Sequence, residues 1–252
     1  MPFVCHVLPH VQADGPANMA VDEALLESVA ADPSAAVFRT YGWTVPTLSL
    51  GYFQHHAEAE ADPRLRDAPI VRRPTGGGAI WHDREITYAI VLPRTHPAAR
   101  SAADLYRAVH EAIAALLRTE GVEAHRRGGE RDARAENQQS WPFFCFTDLD
   151  PEDIVLNGVK VVGSAQRRRS GAVLQHGSLL LSHAERTPEL LGLGDLVSIE
   201  TDPSYWSSRL CAAIPGVLSL NAQAQDLSAA ERARADALRH QVYGNTAWTR
   251  RR

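Results

Sequence analysis

The segment from 70 to 92 constrains the fold more than any other. Two short β-like runs, 70–72 and 79–81, flank Gly76-Gly77-Gly78, and a third, 85–92, follows Asp83-Arg84. Strands this short do not stand alone, and each interior glycine costs a helix roughly 1 kcal/mol. The segment therefore needs a sheet from the rest of the chain. Further runs at 37–41, 47–53, 154–156, 159–163 and 172–181 supply it. Asn157-Gly158 joins two of them as a hairpin, and Ser170-Gly171 marks the next turn.

Helices punctuate these runs. Val21, Leu25, Leu26 and Val29 form one stripe on a helix over 19–30, with Asp22 and Glu23 expected in its first turn, where they would favour the dipole. Ser101 and Asp104 form a capping-box pattern ahead of Leu105, Val109, Ile113 and Leu116, which keep helical spacing up to Gly121. The C-terminal third reads as helical. Asp202-Pro203 opens one helix, Ser228 and Glu231 cap another, and Gly244 stops it. Residues 126–140 hold no large apolar residue and read as a mobile loop. Strands with interspersed helices and one antiparallel meander predict a mixed α/β sheet. The 252 residues suffice for one large domain or two small ones.

Composition excludes several function classes. Lys+Arg is 26 and Asp+Glu is 30, a net charge of −4, which argues against a general nucleic-acid binder. No apolar run approaches the ~18 residues of a membrane span, and MPFVCHVLPH lacks the pattern of a signal peptide. Cys5, Cys145 and Cys211 are too few and too scattered for a disulfide framework or a zinc site. A reduced, cytoplasmic protein is expected.

Five segments carry candidate chemistry. Arg72-Arg73-Pro74-Thr75-Gly76-Gly77-Gly78-Ala79-Ile80-Trp81-His82-Asp83 lets backbone N–H groups approach a ligand, with two arginines suited to a carboxylate or phosphate. It lacks the GK[ST] of a Walker loop and the GxGxxG of a dinucleotide site. Lys160, among valines, suits either an oxyanion-holding cation or a surface lysine on an edge strand. Cys145, among Phe143, Phe144 and Phe146, reads on pattern alone as an inert core thiol. His176, like His82, suits either a structural role or a general base. Arg167, Arg168 and Arg169 suit a solvated turn or a docking patch for an acidic partner.

In this order the segments resemble the biotin/lipoate ligase and octanoyltransferase superfamily. The matching stretches are Asn18-Met19-Ala20-Val21-Asp22-Glu23-Ala24-Leu25-Leu26, Arg39-Thr40-Tyr41-Gly42-Trp43 with Ser49-Leu50-Gly51-Tyr52-Phe53-Gln54, the 72–83 loop, Lys160-Val161-Val162-Gly163-Ser164-Ala165-Gln166, and Gln175-His176-Gly177-Ser178. The resemblance implies a mixed-sheet domain like the catalytic core of class II aminoacyl-tRNA synthetases. It spans 1–252 as one unit, with 186–252 a helical extension. It also implies transfer of an octanoyl or lipoyl group to a lysine of a lipoyl carrier domain, such as the glycine-cleavage H protein or a 2-oxoacid dehydrogenase E2.

Two chemistries compete within the superfamily. Ligases activate lipoate with ATP and magnesium; transferases take octanoate from acyl carrier protein through a cysteine thioester and need no cofactor. His82-Asp83-Arg84-Glu85-Ile86-Thr87-Tyr88 is similar to the transferases acting on the H protein. Cys145-Phe146 also stands ahead of the lysine strand, where they keep their nucleophile. The resemblance thus implies Cys145 and Lys160 as catalytic residues, with no metal ligand. It implies substrate binding by Arg72, Gly76, Gly77, Gly78, His82, Gly163, Ser164, Ala165, His176 and Gly177. An amidotransferase between carrier proteins and a non-catalytic lipoate sensor are the remaining readings.

Overall fold

The computed structural model describes residues 3–128, 143–147, 150–169 and 171–252. Its strands are β1 (Val4–Val7), β2 (Val11–Ala13), β3 (Ala35–Trp43), β4 (Thr47–Leu50), β5 (Ile70–Arg72) and β6 (Ile80–His82), then β7 (Glu85–Pro93), β8 (His125–Arg126), β9 (Ile154–Leu156), β10 (Val159–Arg168), β11 (Ala172–Leu180) and β12 (Asn221–Ala224). The long helices are α1 (Gly15–Ala31), α2 (Ala102–Thr119), α3 (Pro203–Val217) and α4 (Ala229–Leu238). The main sheet runs β12-β1-β3-β7-β11-β10-β9-β8, with β2 beside β3, and a small sheet runs β5-β4-β6. β1 is parallel to β3 and β12, while β3, β7, β11, β10, β9 and β8 alternate antiparallel. The mixed α/β sheet expected from the sequence is present.

Period-two burial sorts the main sheet into two faces. Ala36, Phe38, Tyr88, Ile90 and Leu92 meet Leu105, Val109, Ile113 and Leu117 of α2 and Trp206, Leu210 and Ile214 of α3. Val37, Tyr41, Ala89, Val91 and Leu174 meet Met19, Leu25, Leu26 and Val29 of α1 and Ala235 and Leu238 of α4. The turn signals hold. Asn157 and Gly158 both have positive φ, 52° and 80°, as a type I′ hairpin needs. Ser101 caps α2, Asp202 caps α3, and Ser228 with Glu231 forms a capping box on α4. A wider turn over Arg239–Tyr243 extends α4 to Gly244.

Four expectations change. First, α1 starts at Gly15 because Asp14 Oδ1 accepts the Ala17 N–H at 2.8 Å and Pro16 pre-sets the first turn. Asp22 and Glu23 are therefore about two turns inside the helix, too deep to serve its dipole. They are buried and paired instead. Arg39 Nε lies 3.1 Å from Asp22 Oδ1, Tyr41 donates to Asp22 Oδ2 at 3.0 Å, and Arg169 and Tyr243 engage Glu23. Second, the loop assigned to 126–140 begins later, because His125 and Arg126 pair with β9; 129–140 lies outside the described residues, as does Ser170. Third, the C-terminal third is not only helical, since β12 adds a parallel strand to the main sheet beside β1. Fourth, the run at 47–53 stops at Leu50, and Gly51 begins a turn that packs against Gly77. Among the described residues no helix is long and apolar enough to cross a membrane.

The Asp22–Arg39 pair ties α1 to β3 with both side chains out of water. Arg39→Met should cost about 3–5 kcal/mol, since it leaves a buried carboxylate without its cation. Urea unfolding monitored by circular dichroism measures this.

Candidate active site

The glycine triplet lies in the loop between β5 and β6, and one buried side chain shapes it. Arg73 donates from Nε to Thr75 Oγ1 at 3.1 Å and from Nη1 to Ser49 O and Oγ at 3.0 and 3.2 Å. Its Nη2 donates to Gly76 O and Gly78 O at 2.7 and 2.6 Å. All five guanidinium donors are used. Glycine is required where the loop meets its neighbours. A Cβ on Gly51 would sit 1.9 Å from Gly77 O, and one on Gly78 would sit 2.8 Å from Cys145 N. Gly77 has φ +88°. Arg72 is also fully buried, and it faces away from the loop's inner side, donating to the carbonyls of Gly51, Tyr52, Gln54 and Thr249.

Two carboxylate–imidazole chains end on the hydroxyls that Arg73 holds. His176 Nδ1 lies 2.8 Å from Asp22 Oδ2 and its Nε2 2.7 Å from Thr75 Oγ1. His82 Nδ1 lies 2.6 Å from Glu85 Oε1 and its Nε2 2.7 Å from Ser49 Oγ. Arginine only donates, so both hydroxyls accept from it and turn their own protons to the imidazoles. Each carboxylate fixes the Nδ1–H tautomer. Burial lowers the His82 pKa, with Glu85 pulling the other way. The Trp43 ring stacks on His82 at 3.8 Å. Asp22, Glu85, Ser49, Thr75 and Trp43 were not singled out from the sequence as site residues. All five lie in the stretches that carry the family resemblance, and Asp22 is also one of two acids inside an apolar helical stripe.

Across from these chains lies the candidate nucleophile. Cys145 starts the short turn Cys145–Thr147; its N–H donates to Ala79 O at 2.8 Å, and the Ala79 N–H donates to Phe143 O at 2.7 Å. The Lys160 Nζ is 3.7 Å from Cys145 Sγ, 3.0 Å from Cys145 O and 2.7 Å from Asp153 Oδ2. Lys160 is 6% exposed, which sets aside the surface-lysine reading. A register shift in β10 between Lys160 and Val162 re-aims it. Burial pushes the Asp153 carboxyl up to about 6 against the pull of Lys160.

Cys145, His82, Ser164, Ala165, His176 and Gly177 line one narrow cleft with Arg73, Ser49, Trp43 and Met19. Gly76, Gly77 and Gly78 form the loop beside it, and Gly163 sits under Lys160. The Ser164 hydroxyl is engaged by Tyr88 and His110, both at 2.6 Å. Arg167 lies 5.1 Å over the Tyr52 ring, Arg168 meets the carbonyls of Ala99 and Arg100, and Arg169 pairs with Glu23 and Glu27. Among the described residues no group of three His, Cys, Asp or Glu could hold a metal.

A Cβ on Gly163 would lie 2.7 Å from Lys160 Cε, the flexible end of a side chain. Gly163→Ala should therefore displace the ammonium, and because its pair with Asp153 is buried the melting temperature should fall. Iodoacetamide alkylation of Cys145 at pH 7 should slow, because the cation beside the sulfur is moved away.

A model of the lipoyl protein ligase A/B catalytic domain matches residues 14–192. The chain is 40% identical over 168 residues to the octanoyltransferase LipM of Kyrpidia tusciae and 38% identical over 172 residues to that of Bacillus subtilis. Each match covers 65% of this chain, and the chain spans about three fifths of these relatives, 61% and 60% of their lengths. Among solved structures, a T. acidophilum protein assigned as a lipoate protein ligase, with bound lipoic acid, superposes with a TM-score of 0.78 at 22% identity, covering 100% of both chains. Lipoate-protein ligase A bound with ATP gives 0.76 at 23% identity, covering 99% of both. These two share the fold. The chain belongs to the lipoyl protein ligase A/B catalytic-domain family.

Proposed function

We propose that this chain is an acyltransferase of protein lipoylation. It moves an octanoyl group from acyl carrier protein to a lysine of a lipoyl carrier domain through a thioester on Cys145. The observation that carries this reading is the buried Lys160 ammonium 3.7 Å from Cys145 Sγ, at a narrow cleft that both His82 and His176 line. Cys145 as thiolate attacks the donor thioester, and the carrier thiol leaves. The acceptor amine then attacks the Cys145 thioester and leaves as an amide. Thioester to amide is downhill, so the route needs no nucleotide. Lys160 holds the acyl carbonyl oxygen as charge develops on it. The whole chain acts as one catalytic domain, in a reducing cytoplasm that keeps Cys145 free.

Arg73 orders the glycine loop in this reading, and Arg72 holds the 51–54 turn to the Thr249 carbonyl. Arg73 has no donor left for a phosphate, and Arg72 is buried among carbonyls. His82 and His176 are hydrogen-bonded at both ring nitrogens, which supports a positioning role for both. Arg167, beside Tyr52, remains a candidate contact for an acidic carrier. The structure of lipoate-protein ligase A bound with ATP supports a second reading, an ATP- and magnesium-dependent ligase.

The test is to mix the protein with octanoyl-acyl carrier protein, without ATP, and map adducts by mass spectrometry. An octanoyl group on Cys145 that hydroxylamine removes is expected. Cys145→Ala should abolish transfer while the fold stays intact; a lipoate sensor would tolerate that change. Lys160→Ala should lose roughly 10²–10³-fold in rate, the usual effect of removing an oxyanion donor. No adduct, with lipoate-dependent pyrophosphate release in a parallel reaction, assigns the chain to the ligases. Transfer only from an acylated carrier domain makes it an amidotransferase.

A further inference from the structure

The Cys145–Lys160 pair has a third member that the route above does not use. Asp153 stands just ahead of β9 and is 4% exposed. Its Oδ2 accepts from Lys160 Nζ at 2.7 Å and from the Asp150 N–H at 2.6 Å. The ammonium thus bridges a buried carboxylate to the thiol. The charges of thiol, ammonium and carboxylate sum to zero. If Cys145, half-buried itself, ionised by losing its proton to water, a net charge of −1 would rest against the buried Lys160–Asp153 pair, which low-dielectric surroundings penalise. Moving that proton onto Asp153 creates the same thiolate at zero net charge.

We propose that Asp153 is the proton-holding partner of Cys145, acting through Lys160. Lys160 first passes one N–H proton to the Asp153 carboxylate, and the lone pair of the neutral amine so formed then takes the thiol proton, breaking the S–H bond and restoring the ammonium. Thiol and carboxylate become thiolate and carboxylic acid, and the ammonium is unchanged. In acylation the held proton goes to the departing carrier thiolate. In the second half-reaction the proton lost by the acceptor amine returns to Sγ as Cys145 is released. Asp153 touches Lys160 and not the reacting sulfur, so it is a positioning residue. The assignment rests on the thioester route proposed above.

The surroundings suit the role. Burial brings the Asp153 carboxyl up to about 6, so it takes a proton near neutrality. Among the described residues, the charged and titratable groups packed around it are Lys160 from β10, Cys145 from its turn, Asp150 and Glu152 ahead of β9, Arg126 and Arg127 at the end of β8, and Tyr106 and His110 from α2. Arg73 acts on Cys145 from the glycine loop. Arg126 is paired with Glu111 and Glu152. Burial takes His110 down to about 4 and raises Tyr106, so both stay neutral from roughly pH 5 to 9.

Alkylation of Cys145 by iodoacetamide tests this, with the Cys145 peptide followed by mass spectrometry from about pH 5 to 9.5. A coupled thiol–carboxylate pair titrates in two steps. The wild type should show a lower step near pH 6, a flat stretch where the proton sits within the pair, and an upper step. Asp153→Asn should lose the lower step and the flat stretch, and Asp153→Glu should keep them. A single step in the wild type, or a lower step that survives in Asp153→Asn, overturns the proposal. If Asp153→Asn does not fold, the wild-type profile decides. The readout needs no acyl donor, so it fails independently of the thioester route. Two steps without an octanoyl adduct refute the transferase reading alone, and an adduct with one step refutes this inference alone.

Discussion

The site depends on a guanidinium buried where no carboxylate touches it. Arg73 is 2% exposed, and among the described residues its hydrogen-bond partners are carbonyls and hydroxyls. Burying such a charge is costly unless every N–H is bonded and the charge is answered nearby. The glycine loop provides the first condition, since only a chain without Cβ atoms can fold its carbonyls of residues 76 and 78 onto one nitrogen this close to Cys145 and Gly51. Asp22 and Glu85 provide the second at one remove, each through an imidazole and a hydroxyl. With Arg39 on Asp22, the two cations and two carboxylates of this network cancel when both imidazoles are neutral.

That cancellation divides the cleft into two working halves. On the loop side, His82 and His176 bridge a carboxylate to a hydroxyl, and protonating either would add charge beside Arg73. On the other side, Lys160 and Asp153 form a second neutral group that contains the reactive sulfur. With both imidazoles neutral, neither half carries a net charge, which suits the uncharged acyl chain of the proposed reaction. The cation that can act on a substrate carbonyl is then Lys160, whose direction is set by the bulge in β10 and by the space Gly163 leaves under it.

Much of this was legible in the sequence because it rests on local rules. Asn157-Gly158 requires positive φ twice and gave the hairpin that presents Lys160. Ser101, Asp202 and Ser228 marked helix starts because their side chains bond the backbone within three residues. The glycine triplet and Arg73 stood out because so compact a sequence admits few backbones. Partners distant in the chain were not legible. Asp22 meets Arg39 and His176, 17 and 154 residues away, so an acid in a helix looked like a dipole partner until the sheet brought them together. Asp153 gave no signal, because its tie to Lys160 crosses the β9–β10 hairpin at a register the sequence does not show. Arg72 and Arg73 are identical neighbours, yet the strand alternation turns one toward the cleft loop and the other toward the Thr249 carbonyl.

The position of Cys145 follows from the junction of two sheets. Its backbone is pinned to Ala79, next to the small sheet, while its sulfur faces Lys160 in the main sheet. The distance between sulfur and ammonium is therefore set by how the sheets pack. Leu48, Leu50, Ala79, Trp81 and Phe144 form the apolar cluster that backs the small sheet, and Phe146 lies 5.4 Å from Lys160 Nζ on the cysteine's other side. Coulomb attraction in such surroundings falls with distance and rises with the exclusion of water. An apolar residue that never touches substrate thus acts on the sulfur twice, by holding 3.7 Å against slippage and by keeping water from screening it. The aromatic residues around Cys145, which on pattern alone mark an inert core thiol, are the surroundings in which a single lysine has the largest effect on it.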